Sequence, residues 1–545
     1  MQIADAVPGR HHMLTWGGPV QNTNRIPRDY RWWALAAAML VMFTASLSAT
    51  IVSTAAPTIV ADLNGFSLYG WVITAYMLAS TVSVPIFGTL SDAYGRRPLS
   101  LLGIGFFVAG SALAGLAPSM LWLIAARVVS GIGGGAMMSL ATAGIADIFS
   151  PRERGRWMAL VMSVFALASM LGPTLGGAIT DHLGWRWVFF AAVPLGLIAW
   201  TLAGVVLPRM QSTSRPAIDW RGGLLLVGGL LGILLGFTWG GTSYRWLSWQ
   251  EGVAFGAGAA LLVVFVGFER RVAAPILNPD LFRKRVFVLS VVGSFLVVGS
   301  MYTTLSFTPL FVQGVMGRTV QSSGILLTPM MVAFAVGAAL AGQVISRTGR
   351  YKALAVLGCS MLVAGFVLFS RLTPGSSAGQ VVRDMIVTGL GIGVALPIFS
   401  MTVQSAFPHR MLGTVNSGRQ LFANLGAAVA VPVMTAMLVN GFANDLTRRV
   451  PAGVRPLLAH STLDPQSLLT EEAQRAIHRR FTGLAHGDQL YAGFVHAVRS
   501  SLSSGIERIF SICIGLGVLA LLLALVYPRI ELARWDENGE PELEP

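Results

Sequence analysis

Charge is scarce in this 545-residue chain: Asp, Glu, Lys and Arg together make up 11% of it, against roughly a quarter in an ordinary soluble protein. A soluble globular enzyme is thereby excluded. With 54% hydrophobic residues and a mean hydropathy of +0.67, the apolar residues exceed what one core can hide, and they fall in long blocks rather than in amphipathic stripes. Acidic residues are the scarcer sign, 24 against 38 Lys and Arg. The resulting formal charge of +14 does not point to nucleic acid, because the Arg residues stand in short clusters between apolar blocks, as membrane-orienting charges do. Cysteine is nearly absent, and Cys359 and Cys513 each lie within an apolar block. Neither a disulfide framework nor a Cys-based metal site can be built from them. No span carries paired carboxylates and no phosphate-cradling loop with its lysine occurs, so no enzyme constellation, metal or cofactor is expected.

What the chain has is apolar length. A span needs about 20 mostly apolar residues to cross roughly 30 Å of hydrocarbon. Fourteen such blocks run at approximately 32–55, 69–90, 99–117, 120–143, 157–179, 187–207, 222–241, 249–268, 286–312, 324–345, 352–371, 379–403, 412–438 and 506–527. They must be helices, because lipid satisfies no backbone polar group and the alternating segments of a membrane barrel are missing. The 62 glycines suit close helix packing.

Orientation follows from the loop charges, since positive residues are retained on the cytoplasmic side. Loops after even-numbered spans hold seventeen Lys and Arg residues, Arg96, Arg97, Arg152 and Arg347 among them, whereas short loops after odd-numbered spans hold only Arg186, Arg245, Arg318, Arg371 and Arg383. Both termini are expected to be cytoplasmic. The basic start, with Arg10, Arg25, Arg28 and Arg31, precedes an apolar run too long for a signal peptide and reads as an uncleaved anchor. One connection is long. Segment 439–505 lies outside by the charge count, with a short surface helix expected near Thr470–Arg480 and a helix from Tyr491 to Arg508 running into the last span. Its expected role is a solvated cap over the outer mouth, with docking of a periplasmic partner or lipid as the alternative.

The chain also repeats itself. Gly88-Thr-Leu-Ser-Asp92-Ala-Tyr-Gly95-Arg96-Arg97 after span 2 has a counterpart in Gly342-Gln-Val-Ile-Ser346-Arg347-Thr-Gly349-Arg350 after span 10. Both read as helix end, glycine turn and basic cluster. Two homologous six-span halves with a substrate path between them is the organisation of many secondary transporters. The expected fold is an all-α membrane protein of fourteen transmembrane helices, two six-helix halves plus two inserted linker helices. Residues 1–31 would form a cytoplasmic tail, 32–207 the N-terminal half, 208–285 the linker, 286–527 the C-terminal half and 528–545 a second cytoplasmic tail.

At these residues the sequence resembles the major facilitator superfamily, specifically its fourteen-span drug:proton antiporters. Gly88 to Arg97 looks like the family's signature loop, Arg127-Val-Val-Ser-Gly131-Ile-Gly133 resembles its fourth-span arginine motif, and Gly172-Pro173-Thr-Leu-Gly176-Gly177 resembles its antiporter motif. Gly184-Trp185-Arg186-Trp187 is similar to the segment leading into span 6. The resemblance implies a bacterial inner-membrane transporter exporting amphipathic small molecules in exchange for protons, with a lipid or anionic-metabolite exporter and a non-transporting sensor as alternatives. With no nucleotide motif, transport would be driven by a gradient. The chain departs from the subfamily in the first span, where Ser48 stands in place of the usual acid, and in Ser346, where the first loop has Asp92.

Candidate path residues follow. Arg127, about seven residues or roughly 10 Å inside span 4, costs about 2.5–3.5 kcal/mol at a helix centre and should face the interior with an acceptor, unless it snorkels. Arg419 is similarly placed in span 13, with Gln420 and Asn424 nearby. Asp92, unfavourably placed at the end of its own helix dipole, is expected to latch with Arg96 and Arg97 onto the start of span 13 around Met411 to Thr414. Gly172, Pro173, Gly176 and Gly177 would thin span 5 and seal the outer vestibule. No acid sits near the midplane. The proton carrier is therefore expected among end-of-span acids, Asp147 and Asp384 foremost, unless an anionic substrate drawn by Arg127 and Arg419 brings the charge itself.

Overall fold

A backbone in lipid can satisfy its N–H and C=O groups only within itself, and all long elements among the described residues are accordingly helices. The computed structural model describes residues 28–528 except 66–67, 149–150, 208–219, 242–243, 273–276, 349–350, 408–411, 451–474, 476–477, 480 and 482–485. For some helical residues, Asp92 and Asp147 among them, it describes the backbone alone.

The first group comprises α1 (Arg28–Asp62), α2 (Tyr69–Tyr94), α3 (Arg96–Gly115), α4 (Met120–Ile148) and α5 (Pro151–Leu183), then α6 (Arg186–Phe190) and α7 (Ala192–Val206). A pair follows, α8 (Trp220–Trp239) and α9 (Trp249–Glu269). The last group is α10 (Arg285–Leu310), α11 (Val320–Thr348), α12 (Tyr351–Phe369), α13 (Ala378–Ser405), α14 (Leu412–Arg449) and α15 (Gly487–Val526). Thirteen helices among the described residues are long and apolar enough to cross a membrane, α6 and α7 counting as one. The 33-residue α5, which opens with Arg152, Glu153, Arg154 and Arg156, is a further long helix beside them.

Two expectations are corrected in detail. The helices overrun the apolar blocks, α1 reaching Asp62 through Pro57, because a helix continues past the hydrocarbon as long as its own bonds are made. The sixth block is not one helix but two meeting at Ala191. The expected helix at 470–480 falls mostly outside the described residues, whereas the helix expected from Tyr491 is present as part of α15.

Helix pairings in the first group recur in the last. Contacts α1–α5, α2–α4 and α3–α4 are matched by α10–α14, α11–α13 and α12–α13, and α1–α7 and α3–α7 by α10–α15 and α12–α15. Across the groups α5 meets α11 and α2 meets α14, again as a matched pair. The α8–α9 pair packs on itself and touches α14 and α2 through α8. At 38 and 40 residues, α14 and α15 are about 57 and 60 Å long at about 1.5 Å per residue, far beyond the roughly 30 Å of hydrocarbon. Their extensions are tied together by Arg508 Nη2 donating to Asp445 Oδ2 at 2.6 Å and Arg449 Nη2 donating to Ser504 Oγ at 2.9 Å.

Candidate functional site

Gly95 joins α2 to α3 with φ of +92°, a backbone region that glycine enters without a Cβ penalty. Its N–H caps α2 on the Ser91 carbonyl at 3.0 Å, and Arg96 Nη1 donates back to Ser91 Oγ. Gly88, one turn earlier, lies against α4, where an added Cβ would stand 3.3 Å from Ser139 Oγ. Arg97 is half-buried. The expected latch cannot be followed to its contacts, because the Asp92 side chain, Met411 and the side chains of residues 412–414 lie outside what is described.

Arg127 is buried to 1% exposure, which excludes snorkelling. Its Nε donates to the Val72 carbonyl at 3.1 Å, its guanidinium carbon lies 4.3 Å from the Tyr76 ring centroid and 5.9 Å from that of Phe189. The expected acceptor exists, but it is a backbone carbonyl and two aromatic faces rather than a carboxylate. Gly131 and Gly134, one and two turns on along the same face of α4, make the groove for Tyr76: a Cβ on Gly131 would stand 2.6 Å from the Tyr76 carbonyl oxygen, and one on Gly134 would strike its hydroxyl. That hydroxyl donates to the Ala45 carbonyl of α1 at 3.3 Å.

Arg419 is placed differently. Nη1 reaches Ser294 Oγ on α10 at 3.3 Å and Nη2 reaches Gln420 Oε1 at 3.3 Å. Nε is buried without a partner. Gln420 Nε2 in turn donates to Asn424 Oδ1 at 2.9 Å, making a polar ladder up α14. Asp384, expected at the mouth of its span, is within one turn or two of the start of α13 but fully buried, its side chain at 0% exposure. Arg383 holds one oxygen, Nε at 2.9 Å and Nη2 at 2.8 Å from Oδ1, and Oδ2 is buried without a partner. The Asp147 side chain lies outside the described residues.

The segment Gly172-Pro173-Thr-Leu-Gly176-Gly177 sits where α5 meets two helices at once. Gly172 and Gly176 receive α1, since side chains there would strike Thr50 and the Ile51 carbonyl. Gly177 receives the start of α11, with an added Cβ 2.6 Å from the Val320 carbonyl oxygen, while Gly324 of α11 abuts the Pro173 carbonyl in return. Thr174 and Thr328 hydroxyls pair across the same contact at 2.5 Å.

Several more residues, of which only Trp185 and Arg186 belong to a motif quoted above, complete this end of the bundle, the one away from the Arg-rich loops. Asp181, at the last turn of α5, accepts from the Val320 N–H at 3.2 Å and the Gln321 N–H at 2.6 Å. It is a cap for α11 supplied by a different helix. A π turn at Phe311–Val315 ends α10 and aims Gln313 Nε2 at the Thr54 carbonyl of α1, 3.0 Å away, and at Ser323 Oγ of α11, 2.8 Å away. Tyr69 Oη of α2 donates to the Ser306 carbonyl of α10 at 2.5 Å. Trp185 Nε1, just before α6, and Arg186 Nη1, at its first residue, both donate to Asp62 Oδ2, at 2.9 and 3.2 Å, which ties the start of α6 to the end of α1. Only the acid at a helix end gave any sequence signal for Asp181; Gln313 and Tyr69 gave none.

Thus the first group buries an arginine and the second half-buries one, and the groups close on each other at one end through glycines, a helix cap and paired hydroxyls. The sequence model for the Major Facilitator Superfamily matches residues 38–431. The chain belongs to this superfamily. Multidrug transporter protein MdtP of Bacillus subtilis (strain 168) is 35% identical over 413 residues, covering 76% of this chain and 76% of its own. Multidrug resistance protein 3 of the same organism is 33% identical over 408 residues, covering 75% of this chain and 80% of its own. A solved inward-facing, unoccupied bacterial homolog of the human lysosomal transporter Spinster superposes over 94% of this chain and 100% of its own with a TM-score of 0.62 at 17% identity, a likeness of fold. The protein is a multi-pass membrane transporter of small molecules and not an enzyme.

Proposed function

We propose that the chain is a fourteen-span exporter of amphipathic or lipophilic, drug-like molecules across a bacterial inner membrane in exchange for protons, with both termini cytoplasmic. The observation that carries this reading is the contact of α5 with α11. Two helices from opposite groups meet there through hydrogen bonds and glycine backbone, a contact that can part and re-form as a unit while each group keeps its own packing. Residues 32–207 and 286–527 are the two moving halves, 208–285 the linker riding at their seam, and segment 439–505 a cap beside the outer mouth. Asp92, Arg96 and Arg97 supply the opposite latch, closing on the start of α14 when the outer contact opens. The multidrug relatives support the substrate class.

The proton route runs through end-of-span acids, Asp384 and Asp147. Asp384 suits the role because burial and an ion pair to Arg383, its one such partner among the described residues, with one oxygen left over, let it gain or lose a proton as its surroundings change. One proton moving inward is worth about 2.3 kcal/mol per 100 mV, enough for a roughly forty-fold outward gradient at about 1.4 kcal/mol per tenfold.

Uptake of a fluorescent drug into inverted membrane vesicles tests the reading. Accumulation should follow an imposed pH gradient and vanish when it is collapsed, and Asp147→Asn with Asp384→Asn should abolish gradient-driven accumulation while leaving downhill exchange. A double variant that still concentrates the drug would overturn the proton route, and vesicles that take up nothing would overturn the export of drug-like molecules.

A further inference from the structure

Arg127 and Arg419 carry the same charge into the bundle, yet their surroundings leave them in opposite states. Arg127 is enclosed by the Val72 carbonyl, the Tyr76 ring and the Phe189 ring. Arg419 meets two neutral oxygens, each at 3.3 Å, and its Nε is buried with no partner at all. No carboxylate pairs with it among the described residues. A guanidinium presents five N–H donors in a planar fork, so two long neutral contacts leave most of it unanswered. A half-buried guanidinium whose Nε is shut from water without a partner is costly, and a residue serving only to pack would be apolar.

The neighbours are arranged to present the fork rather than to neutralise it. Gln420 turns its carbonyl to Arg419 and its amide N–H to Asn424, and Ser294 steadies Nη1 from α10. We propose that Arg419 is the recognition point for an anionic head group, a carboxylate or sulfonate, on an amphipathic substrate; this rests on the export reading above and names the substrate's charge. A two-oxygen anion matches the fork with paired N–H donors, the geometry in which arginine binds most strongly. Gln420 and Asn424 offer further N–H groups beside it.

The full chain in inverted membrane vesicles, energised by a pH gradient, supplies the test with two radiolabelled probes: taurocholate, an amphipathic sulfonate, and tetraphenylphosphonium, a lipophilic cation. Taurocholate uptake is expected, and Arg419→Gln should lower it at least tenfold while Arg419→Lys, which keeps a charge but not the fork, should lower it by a smaller factor. Tetraphenylphosphonium uptake should fall much less in Arg419→Gln, so that the ratio of taurocholate to tetraphenylphosphonium uptake drops at least about fivefold. Transport of the cation with none of taurocholate would overturn the anion site and leave the export reading standing. An equal fall for both probes in Arg419→Gln, not relieved in Arg419→Lys, would make Arg419 a structural residue and overturn the proposal. Movement of neither probe would overturn the export reading together with it.

Discussion

One arginine is enclosed and the other is left open, and the difference separates what holds a transporter together from what it holds. In the first half Arg127 is a bracket: it fixes α4 to α2 through the Val72 carbonyl and the Tyr76 face, and Tyr76 passes the tie to α1 through Ala45. In the second half Arg419 braces little, since its two contacts are long and neutral and its Nε has none. A planar cation stacked on a ring and bonded to a carbonyl depends on its shape as well as its charge. An open cation depends on charge first.

The contrast is broken most severely at Arg127. Arg127→Gln removes a desolvated cation–π contact worth about 2 kcal/mol, roughly thirtyfold at about 1.4 kcal/mol per tenfold, and should lower both transport and the thermal midpoint of the purified protein. Arg127→Lys should restore neither, because an ammonium cannot lie flat on Tyr76 while bonding Val72. A full rescue by lysine would place Arg127 and Arg419 in one class after all.

A smaller loss is expected at the seam. Gly324→Val sets a branched side chain against the Pro173 carbonyl, so α5 and α11 cannot close. Transport should fall about tenfold, the ordinary weight of overpacking by about 1–3 kcal/mol, with little change in membrane yield. Normal turnover in that variant would show that the close approach is dispensable.

The smallest effect belongs to Asp181. Asp181→Asn removes a charge from the start of α11, worth about 0.3–1 kcal/mol, and should shift the closed and open outer states by roughly two- to fivefold. Faster thiol labelling of a cysteine placed at Thr174 reads that shift, and an unchanged rate would mean that the cap does not bias the gate.

Much of this was legible in the sequence, and its limits have physical causes. The fold class follows from apolar blocks and a basic loop pattern because lipid permits few solutions, and the duplicated loop at Gly88 and Gly342 anticipates the matched helix pairings. Arg127 was readable as an interior charge, but not its partners, since a backbone carbonyl or a ring leaves no mark of acidity in a sequence. The dipole argument that points to Asp92 applies equally to Asp181, yet its partners on α11 lie 139 and 140 residues along the chain, with no local pattern joining them. Gln313 owes its reach to a π turn, a one-residue change of period that composition cannot register. Asp384 was placed near the right end of its helix, but its complete burial depends on packing by the rest of the second half.

Alternating closure of α5 on α11 is tested most directly by cross-linking Thr174→Cys to Thr328→Cys, whose parent hydroxyls stand 2.5 Å apart, in a chain whose own Cys359 and Cys513 are buried. Oxidation should stop drug transport in inverted vesicles while leaving the protein folded, and reduction should restore it in full. Undiminished transport by the fully cross-linked protein would contradict a cycle in which these two helices must separate.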